Sequence, residues 1–164
     1  MLETLPINGN YTLIMFLKVS SRIRLGKRGW FNLQKGYYAY TGSAVGPGST
    51  SLRLRVARHL RKAKKQHWHI DYLLANRKIV VKFVVAARSS INKECELTKL
   101  IQHIEGATVP IAGFGASDCK EKCRSHLVHF DKKPKFETIA SIYEHAFGHG
   151  GVMRIPTPQT ESNG

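Results

Sequence analysis

Residues 11–17, YTLIMFL, are apolar almost without a break. A short apolar run that does not alternate suits a strand buried on both faces, so it belongs in the middle of a sheet. IVVKFVVAA, 79–87, reads as another strand. Between them, SRIRLGKRGWFNLQKGYYAY is broken at Gly26, Gly29 and Gly36, the pattern of a meander of short strands. In its last strand, alternation puts Tyr38 and Tyr40 on one face and Tyr37 on the other. VGPGS, 45–49, makes a turn, and Ser49, Thr50 or Ser51 can cap a helix over about 51–64. A helix over about 91–104, capped by Ser89 or Ser90, a strand over 125–130 and a helix over 135–147 complete the pattern. The expected fold is α/β of the α+β type: a small, mostly antiparallel sheet flanked by helices, in one domain over residues 1–147. From Gly148 the chain turns to Gly, Pro and polar residues, and 148–164 reads as a flexible tail.

Charge narrows the partner. The chain has 164 residues, with 26 Lys and Arg against 11 Asp and Glu, a formal net charge of +15. Solubility needs far less, on the order of 2–8 for a small domain. Such an excess points to a polyanion, and nucleic-acid phosphates are the expected partner. An apolar content of 42% excludes disorder throughout. No apolar run approaches the roughly 20 residues that span a bilayer. The opening MLETLPINGN has no basic region followed by an apolar stretch, so a cytoplasmic protein without a membrane partner is expected.

The helix over 51–64 has a readable phase. At about 100° per residue, Leu52, Val56, Leu60 and Ala63 share one stripe, and His59 falls inside it. Arg55 lies at the edge of the stripe, one turn before His59. Arg53, Arg58, Arg61 and Lys62 spread outward, and Lys64 and Lys65 follow. These six cations are the candidates for phosphate contact. His59 reads equally as a core histidine and as a functional one.

Three pieces then fall in order: Gly9-Asn10-Tyr11, Tyr40-Thr41-Gly42, and Arg55 four residues before His59. The set resembles the GIY-YIG nuclease superfamily, whose two namesake tripeptides lie on neighbouring strands ahead of a basic helix with R-x-x-x-H spacing. The stretch from YTGSA to HWHIDYLL, with the later GFGASDC and CRSHL, is most similar to the Uri-type branch, frequent in archaea. The likeness covers roughly residues 8–131. It implies a GIY-YIG-like fold and a metal-dependent endonuclease acting on nucleic acid, DNA ahead of RNA.

The resemblance also assigns roles. Tyr11 and Tyr40 match the two motif tyrosines, one of which helps to deprotonate the attacking water. A free tyrosine, with a pKa of about 10, needs help to do so at neutral pH. Arg55 matches the arginine that steadies the pentavalent phosphate, a task suited to a guanidinium's fixed fork of donors. His67 matches a histidine that bonds to the active tyrosine, with His69 as its neighbour. Glu96 is the match for the glutamate that holds one divalent ion, Mg²⁺ or Mn²⁺, with Glu94 as the runner-up. Asn10 stands where the family carries an apolar residue. The asparagine common near the family's end has no counterpart, and Ser117 and Asp118 are the nearest substitutes. Asp71 reads as a structural partner for an arginine or histidine.

The cysteines are Cys95, Cys119 and Cys123. An odd number argues against a disulfide framework. Cys119 and Cys123 are spaced C-x3-C ahead of His126, and with Cys95 they make a Cys3His set that zinc accepts. The alternative is three reduced thiols packed in the protein. Two other functional readings stand beside the nuclease: a basic nucleic-acid-binding module on the same fold without turnover, and a small zinc-bearing adaptor.

Overall fold

The computed structural model of the chain describes residues 2–46, 50–61, 64–116, 119, 121 and 123–148, together with the backbone of 152–156. Ser49, Lys62, Ala63, Ser117 and Asp118 lie outside the described residues.

The long strand β1 (Gly9–Leu17) is followed by the hairpin β2 (Ser21–Arg24) and β3 (Trp30–Leu33), and then by β4 (Gly36–Ala44). After it come α1 (Leu52–Leu60), α2 (His69–Leu74), β5 (Ile79–Arg88), α3 (Glu94–Gln102), β6 (Leu127–Phe130), α4 (Phe136–Phe147) and β7 (Val152–Pro156). The main sheet runs β6-β4-β1-β5-β7, and β2 and β3 form a separate pair. All the pairings are antiparallel. The fold is therefore α+β, with β1 central.

The position of β1 accounts for its composition. Its odd-numbered residues Tyr11, Leu13, Met15 and Leu17 pack with Leu52, Val56, Ile70 and Leu73 of α1 and α2. On the other face Ile14 packs with Leu97, Ile101, Ile139 and Tyr143 of α3 and α4. Thr12 is buried on that face too, and its hydroxyl meets those of Thr41 at 2.9 Å and Tyr143 at 2.6 Å. Tyr38 and Tyr40 point to the α1 face and Tyr37 to the α3 face, as the alternation requires.

Three boundaries differ from the sequence reading. Helix α1 stops at Leu60, because Arg61 is extended (φ −73°, ψ 132°) and the chain folds back. Ser51 is its cap, accepting from the Leu54 N–H at 3.3 Å. Helix α3 starts at Glu94 rather than near 91, and neither Ser89 nor Ser90 caps it. The Asn10 side chain holds the preceding loop, donating to the Ile91 carbonyl and accepting from the Lys93 N–H, both at 2.9 Å. Ser89 instead closes a local turn onto Ile91. Within the stretch expected as a tail, Val152–Pro156 pairs with β5 and extends the sheet by one edge, while residues 149–151 and 157–164 lie outside the described residues.

Candidate active site

Tyr11 and Tyr40 lie on adjacent strands, Tyr11 opposite Gly42 and Tyr40 opposite Leu13. Gly42 is required by that arrangement. A Cβ there would sit 2.6 Å from the Tyr11 hydroxyl oxygen, so the third residue of Tyr40-Thr41-Gly42 makes room for the Tyr11 ring. Gly115, at φ +68°, does the same for Tyr40, since a Cβ there would lie 3.0 Å from the Tyr40 ring.

Helix α1 supplies the next two groups. The Tyr11 hydroxyl meets His59 Nε2 at 2.7 Å. Burial, reinforced by Lys64, pulls the His59 pKa down to about 3, so the ring is neutral and one nitrogen accepts. Burial also raises the pKa of both tyrosines. Arg55 donates from Nη1 to the Ser43 carbonyl at 2.7 Å and stacks over Trp68 with its guanidinium carbon 5.4 Å from the ring centre. Its Nε is buried and has no hydrogen-bond partner among the described residues.

The acid comes from α3. Glu94 accepts from the Ser43 hydroxyl at 2.6 Å, and its other oxygen lies 3.2 Å from His126 Nδ1. Tyr11, Tyr40, Arg55, His59, Trp68 and Glu94 line one cavity of about 610 Å³, together with Asn92, Glu121, Cys95, Cys119 and His126. The cavity opens where α1, the start of α3 and the loop before β6 meet over the end of β4. An oxygen donor beside a guanidinium and a Tyr–His pair is a set that can grip a phosphate and move a proton near it.

Several sequence-chosen residues lie elsewhere. Glu96 is not in the cavity. Its carboxylate is half exposed, 3.9 Å from Lys93 Nζ, because it shares the outer face of α3 with Lys99 and His103. Glu94 shares the inward face with Leu97, Thr98 and Ile101, and that amphipathic phase was the signal that separates the two glutamates. His67 is exposed and rests against Trp68, and the histidine on the tyrosine is His59. His69 Nδ1 instead accepts from the Gly115 N–H at 2.9 Å, steadying the loop against Tyr40. Asn92, whose side chain accepts from the Glu94 N–H at 2.9 Å, is an asparagine in the cavity that the sequence reading missed.

The phosphate-contact candidates divide as well. Arg58 is not directed outward: its Nη2 donates to Asp71 at 2.6 Å and to the Lys65 carbonyl at 2.9 Å. Asp71 is fully buried and also accepts from the His67 and Trp68 N–H groups at 2.9 Å. Lys64 Nζ donates to the carbonyls of Arg58, His59 and Arg61 at 2.8–3.0 Å, capping the end of α1. Arg53 is half-buried and donates from Nε to the Leu5 carbonyl, while Arg61 and Lys65 are exposed.

The fold and this cavity describe an α+β domain with a compact Tyr–His–Arg–Glu site. Residues 10–149 match the family described as Domain of unknown function DUF123, and the chain belongs to that family. Comparison with curated proteins found no match, and comparison with solved structures found none. Among the described residues, no helix is long and apolar enough to cross a membrane.

Proposed function

We propose that the chain is a GIY-YIG-type endonuclease of the Uri-type branch that hydrolyses phosphodiester bonds in nucleic acid, DNA ahead of RNA, in the cytoplasm. The observation that carries this reading is the convergence of Tyr11, Tyr40, Arg55, His59 and Glu94 on one cavity. A phosphate entering it would meet the Arg55 guanidinium, already oriented by Ser43 and Trp68 and with Nε unpaired among the described residues. In this reading the Tyr11 hydroxyl, 2.7 Å from His59 Nε2, takes a proton from the attacking water while passing its own to neutral His59. The bound phosphate's negative charge offsets part of the cost of the imidazolium that forms. Tyr40 closes the cavity beside it and orients the water.

Glu94 is the carboxylate that fits the divalent ion of the superfamily. It is a hard oxygen donor, one-fifth exposed on the cavity wall, and among the described residues each oxygen has one polar neighbour, His126 or Ser43, and a lone pair left. A bound Mg²⁺ or Mn²⁺ would supply Lewis-acid stabilisation to a phosphoryl oxygen.

The test is cleavage of branched, nicked, single-stranded and duplex DNA, and of RNA, with Mg²⁺ or Mn²⁺ and with chelator. Wild type should cut with metal only. Tyr11→Phe should lose about 10²–10⁴ in rate, the usual scale of general-base help, with binding little changed. Arg55→Ala should lose both rate and affinity. One observation favours the non-catalytic binding module: burial raises the pKa of both tyrosine hydroxyls, which makes them poor bases. Binding to every substrate without cutting under either metal would establish that second reading.

A further inference from the structure

The four metal-philic side chains of the loop before β6 and of α3 do not explain one another as a simple disulfide. Cys95 and Cys123 are joined, with Cα atoms 5.8 Å apart. A disulfide needs nothing more. Yet the free Cys119 sulfur lies 2.9 Å from Cys95 Sγ, and His126 Nε2 lies 3.6 Å from the same sulfur. The ligand atoms of Cys95, Cys119, Cys123 and His126 all lie within 4.8 Å of one another. Tetrahedral zinc, with Zn–S about 2.3 Å and Zn–N about 2.0–2.1 Å, places its donors within about 4 Å of each other. Cys95 and His126 are both buried, and the donors come from separate parts of the chain: α3, the loop, and the residue before β6.

We infer that these four residues form a structural zinc site, with His126 binding through Nε2 and Glu94 standing behind its Nδ1. The second contact supports the first. His126 Nδ1 is buried, has no hydrogen bond of good geometry among the described residues, and lies 3.2 Å from Glu94 Oε2. A proton on Nδ1 directed at Glu94 leaves the Nε2 lone pair for the metal, the carboxylate–histidine–zinc arrangement that fixes tautomer and ring orientation. The site also gives the loop an anchor. From Gly115 to Ser125 the sequence GASDCKEKCRS has no large apolar side chain, so packing alone offers it little. Gly115, Cys119 and Glu121 of that segment line the cavity, and the zinc would therefore hold this side in place and share Glu94 with it. The inference does not depend on hydrolysis, because zinc content is read separately from cutting.

Zinc and the Cys95–Cys123 disulfide exclude each other and differ by two electrons. The full chain is therefore purified without chelator in the presence of a phosphine, which supplies those electrons and becomes the phosphine oxide. The expected result is about one zinc per chain by elemental analysis. In denaturant, after the phosphine is removed, all three cysteines should titrate as thiols. Cobalt in place of zinc should show the intense visible absorption of a tetrahedral, thiolate-rich site, a readout on wild type that needs no variant to fold. Cys119→Ser should lose most of the zinc, and Glu94→Gln should weaken zinc affinity about 10–100-fold in competition with a chromophoric chelator. The inference is overturned by a reduced protein that neither retains nor takes up zinc. Cobalt bound without thiolate absorption would overturn it too, as would zinc held by Cys119→Ser as tightly as by wild type.

Discussion

Helix α1 and the β2–β3 hairpin are both rich in cations, and they dispose of them in opposite ways. On α1, Arg58 neutralises Asp71, Arg55 faces the cavity and Arg53 holds the Leu5 carbonyl, while Lys64 just beyond caps the helix. On the hairpin, Arg22, Arg24 and Lys27 are exposed around Trp30, which is 56% exposed and has the Arg22 guanidinium 5.0 Å from its ring centre. The difference follows from where the acids are. No carboxylate occurs between Glu3 and Asp71, and the cation that reaches Asp71 is Arg58 of α1. A net charge of +15 is therefore not an even coat. Part of it is internal structure, and the part turned to solvent includes the hairpin cations Arg22, Arg24 and Lys27 as well as Arg61 and Lys65 beyond α1.

The comparison is broken most severely by removing Asp71. Asp71→Ala leaves Arg58 half-buried without its partner and frees two N–H groups. The expected loss is about 3 kcal/mol, the low end for a broken buried pair, because Arg58 keeps 22% of its side chain in water. Chemical denaturation reads it directly. The sign with pH follows from the pairing. Burial alone would raise the Asp71 pKa, but the Trp68 and His67 N–H groups and Arg58 together hold it below the ordinary value. Its contribution is present above the unfolded pKa of 3.8 and is lost as pH falls through the lower folded value. The acid limb of wild-type stability should flatten in Asp71→Ala. An unchanged midpoint and acid limb would mean that Arg58 is a surface cation after all.

The outward half is sharpened by salt titration. If the exposed cations meet nucleic acid, Arg22, Arg24 and Lys27 replaced together by Ala should reduce the log–log salt slope on duplex DNA by about 2–3. Arg61 and Lys65 replaced together should reduce it by about 2 at most, and Lys64 should leave it unchanged. Fluorescence anisotropy across salt measures all three. A larger drop from the α1 pair than from the hairpin would reverse the comparison.

Much of this architecture was legible from local pattern. The unbroken apolar run of β1 predicted a strand covered on both faces, and the alternation of Tyr37, Tyr38 and Tyr40 predicted their sides. The phase of α1 put His59 inward, and its spacing from Arg55 was the visible half of the site. The other half depended on phase that was present but not used: Glu94 and Glu96 are two residues apart, so they point to different sides of a helix. The apolar residues Leu97 and Ile101 say which side is inward. What no local pattern carries is the return of the chain after Leu60. It brings Asp71 under Arg58 and Lys64 over the end of α1, and these are tertiary pairings between segments with no periodic signal. The strand Val152–Pro156 was missed for a related reason, since Gly and Pro flank it and an edge strand needs only a partner's free edge.

The smallest expected effect belongs to Lys64, and it distinguishes two kinds of cap. Its ammonium donates to three carbonyls at the end of α1, where the helix dipole favours positive charge. Burial opposes that charge and, with Arg58 and Arg61 nearby, pulls the Lys64 pKa down to about 8 despite Asp71. Gain and cost largely offset, so Lys64→Met should destabilise by only about 0.3–1 kcal/mol at neutral pH. The pH dependence is more telling than the size. With a folded value near 8 and an ordinary value of 10.5, the unfolded chain binds more protons between those limits, so wild type gains stability from Lys64 as pH rises through that window. The neutral amine still has two N–H groups to donate. The gap between wild type and Lys64→Met should therefore widen from pH 8 towards pH 10.5. A cap that worked by its charge alone would show the gap closing over the same range, and thermal melts of the two proteins at matched ionic strength tell them apart.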